Sequence, residues 1–267
     1  MRTSEWVTVA YLAYLLASGA VRRASARKVW RVAVLAVPTS ALIALLAHID
    51  ASPVASALRD WLPGAYVLVG YRATGLLYSG PNAALEARLA AIDARLFVRL
   101  GALVLRLPRA VLEALELAYL LCYPLVPAGL GVLYLTGQRA RADAYWTVVL
   151  AAAFAAYGVL PWAATRPPRA LGPAPWWFAR RPITVRRLNL RVLEHGSIQV
   201  NTFPSGHAAS AWAVALFLMT APGAAWVAFT ALAASIGAGA IVGRYHYALD
   251  VVAGLLVAVL AFVLLVQ

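Results

Sequence analysis

Long runs of apolar residues constrain this chain more than any other feature of its sequence. The runs reach about 17–25 residues, the length that a helix needs to cross the hydrocarbon core of a bilayer, and they are rich in leucine, alanine and valine. They lack the alternation that marks a strand of a membrane β-barrel. The chain is 63% hydrophobic and 12% charged, whereas soluble domains average about 45–50% and about 25%. The sequence therefore predicts an all-α, polytopic membrane helix bundle.

Seven apolar segments are expected to span the membrane, and they form a single domain over residues 1–267. They cover residues 6–19, 32–47, 111–135, 145–164, 205–221, 225–242 and 247–266. Pro124 and Pro127 should bend the third segment, because proline removes a helical hydrogen bond. Residues 62–77 carry Arg72 and three glycines. This composition leaves open an eighth span, a re-entrant piece or an interfacial segment.

The stretch 81–107 has a different character from the spans. Apolar residues fall near helical spacing, with charged residues between them, as in Leu85-Glu86 and Ile92-Asp93. This pattern predicts an amphipathic helix. Such a helix would lie in the headgroup plane or pack on the end of the bundle.

The chain carries a formal net charge of +13, and all but one of its cationic residues are arginine. Much of this charge lies beside the predicted spans, where it suits anionic lipid headgroups. No basic helix with interleaved aromatic residues occurs outside the spans, so we expect no nucleic acid partner.

The basic cluster 22–31 predicts a cytoplasmic loop after the first span. Seven spans then place loop 166–202 outside the cytoplasm, although its seven arginines alone favour the inside. Its paired Trp176 and Trp177 suggest an interfacial belt.

Two histidines begin apolar segments in polar surroundings. One ends the run Asn201-Thr-Phe-Pro-Ser-Gly-His207, and the other lies in Gly243-Arg-Tyr-His246-Tyr-Ala-Leu-Asp250. Since two predicted spans separate them, both should lie at the same face of the membrane. Ionisable groups at membrane depth are costly and usually functional.

These two clusters contain the groups that phosphoryl transfer requires. His246 and Asp250 are four residues apart, so one helical face presents both. A carboxylate can hold one imidazole nitrogen as a donor and leave the other free to attack or to carry a proton. Ser205 and Gly206 begin a helix, whose exposed N–H groups and dipole favour an anion. Nearby arginines could add charge-assisted contacts to the same anion, namely Arg166, Arg169 and Arg244.

Two other interpretations of the histidines stay open. A zinc site would do better with a third nitrogen or sulfur ligand, the arginines would repel a cation, and Cys122 is the only cysteine. The histidines could also serve only as hydrogen-bonded helix ends. His195 and Asn201 lie just before the anion site, where they either line the pocket or form hydrogen bonds within the loop.

The residues carry a resemblance to a known family. Phe203-Pro-Ser-Gly-His207 resembles the second signature of the type 2 phosphatidic acid phosphatase (PAP2) superfamily, and Arg244-x-His246-x-x-x-Asp250 resembles the third. Arg166-Pro167 resembles the end of the first signature, but Val159 stands where that signature has lysine. The family's arginine six residues before the histidine is Ala240 here. The resemblance covers roughly residue 145 to the C-terminus.

The resemblance implies a membrane-bound enzyme that needs no metal and no other cofactor. It implies a six-helix catalytic core, here residues 110–267, preceded in residues 1–109 by one or two extra helices and the amphipathic segment. By the same resemblance, His246 is the nucleophile that forms a phosphohistidine, Asp250 orients it, and His207 protonates the leaving group. The groups implied to bind the phosphoryl oxygens are Arg166, Arg244, the Ser205 hydroxyl and the Gly206 N–H, with Arg169 replacing the missing lysine.

The implied substrate is a membrane lipid phosphomonoester or diphosphate, such as phosphatidate, a polyprenyl diphosphate or lipid A. The implied location is the inner (cell) membrane, with the site on its extracytoplasmic face. A lipid phosphotransferase of the same superfamily, similar to inositol phosphoceramide synthases, is the alternative. A non-catalytic membrane interaction or transport protein is a third possibility. The sequence indicates no partner besides the bilayer and the lipid substrate, and it does not indicate an oligomeric state.

Overall fold

The computed structural model describes residues 1–49, 52–172, 184–200 and 202–266. Helices and short connections make up this part of the chain, and it contains no β-sheet. The predicted all-α, polytopic bundle is confirmed. Trp176, Trp177 and Asn201, to which the sequence assigns an interfacial belt and a pocket position, lie outside the described residues.

The helices follow one another with short connections. They are α1 (Thr3–Val21), α2 (Ala26–His48), α3 (Pro53–Trp61), α4 (Pro63–Gly75), α5 (Ala83–Arg106), α6 (Arg109–Leu120), α7 (Cys122–Leu135), α8 (Ala142–Tyr157), α9 (Leu160–Ala163), α10 (Thr184–Gly196), α11 (Gly206–Leu218), α12 (Ala225–Val242) and α13 (Ala248–Leu265). Short 3-10 turns at Arg139–Arg141 and Pro168–Ala170 complete the described secondary structure.

Fewer helices than expected are long and apolar enough to cross a membrane. Within the described residues four stretches qualify: α2, Arg139–Ala163, α12 and α13. The segment 111–135 forms two helices, α6 and α7, bent by 64°, which count as a fifth span if taken together. The segment is bent as predicted, but the break lies at Leu121, just before Pro124, and Pro127 lies within α7. These helices support insertion into a membrane, and by length and composition four or five of the seven expected spans qualify within the described residues.

Two of the seven expected spans do not have the length or composition that a membrane-crossing helix needs, for different physical reasons. Helix α1 buries the polar side chains of Ser4, Glu5 and Thr8 against the rest of the protein. Helix α11 has only 13 residues, about 20 Å at 1.5 Å per residue, against about 30 Å of hydrocarbon. It packs on α7, α8, α12 and α13, so protein surrounds it where lipid would surround a longer span. This central helix carries His207 into the bundle.

The uncertain segment 62–77 forms α4, a 13-residue helix. A helix of this length is too short to cross a bilayer alone. It packs against α8, α1 and α2. A polar network at its start fixes it, because Asp60 accepts hydrogen bonds from Arg2, Tyr134 and Arg139. Segment 62–77 is therefore a short helix beside the core.

Helix α5 turns an acidic face inward and an apolar face outward. Glu86, Leu89 and Asp93 are buried on one side, whereas Ile92 and Val98 are exposed on the other. Glu86 and Asp93 bind groups close to the catalytic candidates, as described below. The two expectations for this segment are thus compatible, since Glu86 and Asp93 attach α5 to Arg166 and to the start of α13, while its other side leaves an apolar surface for lipid.

Candidate active site

The two histidines singled out by the sequence lie side by side in the structure. His207 Nδ1 and His246 Nε2 are 3.3 Å apart. His207 lies in the first turn of α11, and His246 lies two residues before α13. Both line the same cavity. Helix ends far apart in the sequence thus bring two imidazoles to hydrogen-bonding distance.

A carbonyl oxygen and a carboxylate orient the His246 ring. His246 Nδ1 is 3.0 Å from the Thr202 carbonyl oxygen and 3.4 Å from Asp250 Oδ2. Both neighbours are acceptors, so Nδ1 carries the hydrogen in the neutral ring. Nε2 then holds its lone pair toward the cavity. Asp250 is itself fully buried and accepts a hydrogen bond from the Tyr247 N–H.

The start of α11 is docked directly on α13. Ser205 caps α11, its hydroxyl oxygen accepting from the Ala208 N–H at 3.2 Å. The Ser205 N–H donates to the Asp250 carbonyl at 2.9 Å. Gly206 lines the cavity, and an added Cβ there would lie 2.2 Å from the Tyr157 ring. The Ser205 hydroxyl is buried in its cap, whereas Gly206 presents the N-terminus of the helix to the cavity.

Among the arginines predicted to bind the phosphate, Arg169 is the one that lines the cavity. Its guanidinium lies 5.4 Å from the centre of the Tyr245 ring. Burial lowers the pKa of Arg169, and the neighbouring positive charge of Arg186 adds to that effect. An anion in the cavity would gain from this poorly solvated cation.

Arg166 and Arg244 lie elsewhere. Arg166 forms a two-pronged ion pair with Glu86 of α5, with nitrogen–oxygen distances of 3.1 and 2.9 Å. Hydrogen bonding to that carboxylate raises the pKa of Arg166. Arg244 lines a separate cavity of about 280 Å³ together with Asp93. Its guanidinium donates to the Pro168 carbonyl at 3.4 Å.

Both of these arginines hold the segment that presents Arg169. The Arg166 backbone N–H also donates to Glu86, at 2.7 Å. The Arg244 carbonyl accepts from the Arg169 N–H at 3.1 Å. Asp93 fixes the start of α13 in a similar way, by accepting from the Ala248 N–H at 3.0 Å. These contacts connect α5 and the 3-10 turn Pro168–Ala170 to the segment that carries His246.

An aromatic and acidic cluster beside His207 was not identified from the sequence. Tyr119 stacks on Tyr245 with ring centres 4.2 Å apart, and its centre lies 5.2 Å from that of His207. The Tyr245 hydroxyl donates to Glu116 at 2.6 Å. Arg186 and Asn189 of α10 bind the same carboxylate at 2.9 and 2.7 Å. The sequence signal that could have revealed this cluster is Glu116 itself, because an acidic residue within an apolar segment usually has a function.

His195, a possible pocket residue, does not line the cavity. Its ring is exposed, and Nδ1 lies 2.9 Å from the Arg191 carbonyl oxygen. Arg72, by contrast, lines the cavity from α4 and donates to the His195 carbonyl at 3.3 Å. Arg72 thus adds a cationic side chain at the rim that the sequence motifs did not include.

The cavity joins the polar site to an apolar interior. Its volume is about 590 Å³, within the range of about 300–1,000 Å³ that small-molecule sites occupy. His207, His246 and Arg169 lie at one end, and side chains such as Trp146 and Val126 line the remainder. Within the described residues, no group of three or more histidine, cysteine, aspartate or glutamate side chains could hold a metal ion. This donor set suits an anionic, amphipathic ligand.

Comparison with known proteins identifies the family. No curated protein and no solved structure matches the chain. The family model described as the PAP2 superfamily matches residues 87–264, which is well over half of the 267 residues. The matched region includes both histidines, Asp250 and Arg169, and the family generally comprises phosphatase-type enzymes. The chain belongs to the PAP2 superfamily.

Proposed function

We propose that the protein is a metal-independent phosphatase that hydrolyses a membrane lipid phosphomonoester or diphosphate through a phosphohistidine. The observation that carries the proposal is the 3.3 Å approach of His207 Nδ1 to His246 Nε2 at the polar end of an otherwise apolar cavity. Phosphoryl transfer through a phosphohistidine needs a nucleophile that attacks phosphorus and an acid that protonates the leaving oxygen, both beside the same phosphate. The paired imidazoles supply both groups.

In the first step, His246 Nε2 attacks the substrate phosphorus. The Nε2–P bond forms as the bond from phosphorus to the lipid oxygen breaks, and His207 donates a proton to that oxygen. Asp250 and the Thr202 carbonyl stabilise the charge that develops on the His246 ring, because both accept its Nδ1 hydrogen. Arg169 and the N-terminus of α11 neutralise charge on the phosphoryl oxygens.

In the second step, water replaces the histidine on phosphorus. His207, now unprotonated, takes a proton from the attacking water, the Nε2–P bond breaks, and inorganic phosphate leaves. His207 thus returns to its protonated form and His246 to its neutral form. Arg166 and Arg244 contribute by holding the segment of Arg169 and the start of α13 rather than by direct contact with the phosphate.

The close packing of α13 on α11 provides a test of this geometry. A Cβ at Gly254 would lie 2.5 Å from the Ser205 carbonyl oxygen, so Gly254→Val must push α13 away from α11. Displacement of the histidines by about 1 Å is expected to lower kcat/KM for a lipid phosphate about 100-fold. Gly131→Val in α7, where an added Cβ meets nothing within 4 Å, is the matched control. Equal activity of the two variants in a phosphate-release assay would contradict this account of the packing.

We also infer that the site faces the extracytoplasmic side of the inner membrane, as the family resemblance implies. Helix α13 begins beside His246 and is long enough to cross the bilayer. A reporter fused after residue 267 should therefore be active in the cytoplasm. An extracytoplasmic signal from that reporter would reverse the assignment.

The experiment that tests the function is a phosphate-release screen of the purified protein. Phosphatidate, a polyprenyl diphosphate and lipid A are offered in separate reactions with a metal chelator present. Release from at least one of them, inhibited by vanadate as a transition-state mimic, is expected. Transfer of a labelled phosphoryl headgroup to another lipid without free phosphate would instead support a transferase. No reaction with any lipid would contradict both the phosphatase and the transferase.

A further inference from the structure

One wall of the cavity comes from α4. This helix ends at Gly75, before the family match begins at residue 87. It contributes Gly64, Val67, Leu68 and Tyr71 to the cavity lining. The chain therefore completes its cavity with a helix that does not belong to the matched region.

Helices α4 and α8 run side by side in the same direction, and their paired contacts define the two ends of the cavity. Gly64 lies beside Trp146, since an added Cβ would be 3.5 Å from that ring. Tyr71 lies beside Tyr157, with ring centres 5.2 Å apart. Tyr157 in turn contacts Gly206 at the start of α11. The Tyr71 end is thus the end of the histidines, and the Gly64 end is remote from them.

Charge is confined to the near end of the cavity. Arg72 and Arg169 line it there, and the Tyr71 hydroxyl binds the Ile198 N–H at 2.9 Å. The remote end is lined by apolar and aromatic side chains, among them Val126 and Trp146. From Trp146 to Tyr157 is 11 residues, or about 16 Å of helix. A ligand that fills this space has an anionic head and an apolar body that reaches about half the depth of a hydrocarbon core.

A fixed side chain lines the remote end. Trp146 is fully buried, and its Nε1–H donates to the Asp60 carbonyl at 2.6 Å. Asp60 is in turn held by Arg2, Tyr134 and Arg139. Glycine at position 64 leaves room in front of this ring. The indole therefore forms a rigid floor rather than an adaptable surface.

The cavity also meets the outer surface of the bundle between α4 and α7. Leu68 and Tyr123 line it from these two sides, yet 60% and 42% of their surfaces are exposed. In a membrane-embedded chain such apolar surface faces lipid. A hydrocarbon chain can therefore pass from the bilayer into the cavity without crossing water.

We propose that α4 and α8 form a binding chamber for one hydrocarbon chain of the substrate, with Trp146 as the floor that limits chain length. This inference rests on the proposed function, since it assigns the headgroup to the paired histidines. The chamber volume of about 590 Å³ suits one chain next to a phosphate headgroup. Helix α4 thereby selects the substrate, while the matched region performs the reaction.

The test uses single-chain alkylphosphonates from ethyl to dodecyl, which lack the bond that the enzyme breaks. Their equilibrium binding is measured in nanodiscs, below their critical micelle concentrations and corrected for partition into protein-free nanodiscs. Wild-type affinity should rise about fourfold per added methylene and level off when the chain reaches Trp146. Gly64→Trp should shift that plateau to shorter chains. Val67→Trp, about 4.5 Å nearer the histidines, should shift it further.

Gly131→Trp provides the matched control, because position 131 does not line the cavity and has nothing within 4 Å of an added Cβ. Its plateau should equal that of the wild type. Retained binding of ethylphosphonate shows that each variant is folded. Identical plateaus in all four proteins would overturn the chamber. Chain-length-dependent binding without hydrolysis of the matching alkyl phosphates would support the chamber and contradict the proposed function alone.

Discussion

Replacement of His246 by asparagine should lower kcat/KM for a lipid phosphate at least about 1,000-fold. The asparagine amide can still donate to the Thr202 carbonyl, which His246 Nδ1 contacts at 3.0 Å. It has no nitrogen lone pair in place of Nε2, however, and so cannot form the covalent intermediate. The measurement is phosphate release by the purified variant at equal protein concentration.

The control for this variant is another histidine. His195→Asn changes an exposed ring that contacts the Arg191 carbonyl and does not line the cavity. Its activity should match the wild type. If His246→Asn retained more than about one tenth of wild-type activity, His246 would not be the nucleophile.

Replacement of His207 by asparagine should have an effect that depends on the leaving group. Loss of a general acid commonly costs about 10²–10⁴-fold, and we expect this loss for lipid phosphates, whose alkoxide leaving groups need a proton. With p-nitrophenyl phosphate the leaving group departs unprotonated, so formation of the phosphohistidine should survive. Its hydrolysis should remain slow, because His207 also activates the water.

Rapid mixing of His207→Asn with p-nitrophenyl phosphate distinguishes these steps. The expected trace is a burst of about one p-nitrophenolate per active site, followed by slow turnover. Wild type should give continuous turnover under the same conditions. A variant that shows no burst and loses equal activity on both substrates would exclude His207 as the acid.

The histidine pair could be predicted from the sequence because its geometry follows from local rules. A four-residue spacing places His246 and Asp250 on one helical face, and two intervening helices return the chain to the same side. The structure places His207 beside His246, as the return of the chain to the same side predicts. The Thr202 carbonyl was not predictable in the same way, since any residue type offers that acceptor.

The arginines show where sequence reasoning ends. Arg166, Arg169 and Arg244 were all candidates for phosphate binding in the sequence, but the structure directs each to a different place. Arg166 is drawn to Glu86, which is 80 residues away in the chain. Arg72 reaches the cavity from a segment with no motif. Which cation faces an anion site depends on long-range ion pairs, and residue spacing does not encode these.

Fewer helices than expected qualify as spans by length and composition, because hydropathy does not distinguish lipid from protein surroundings. Helix α11 is as apolar as a span, yet neighbouring helices enclose it and it needs only 13 residues. For α4, the sequence left open whether the segment crosses the membrane, and the reason is different. Its glycines and Arg72 weaken the membrane signal, and the same residues help it to line a cavity and to pack against α8.

The most direct test of the account is capture of the phosphorylated enzyme. The His207→Asn variant is mixed with p-nitrophenyl [³²P]phosphate and quenched in alkali, and the labelled peptide is mapped. We predict about one label per active site, stable in alkali and lost in acid, on Nε2 of His246. Label on any other residue, or no label in a variant that still produces the p-nitrophenolate burst, would contradict the assignment of His246 as the nucleophile.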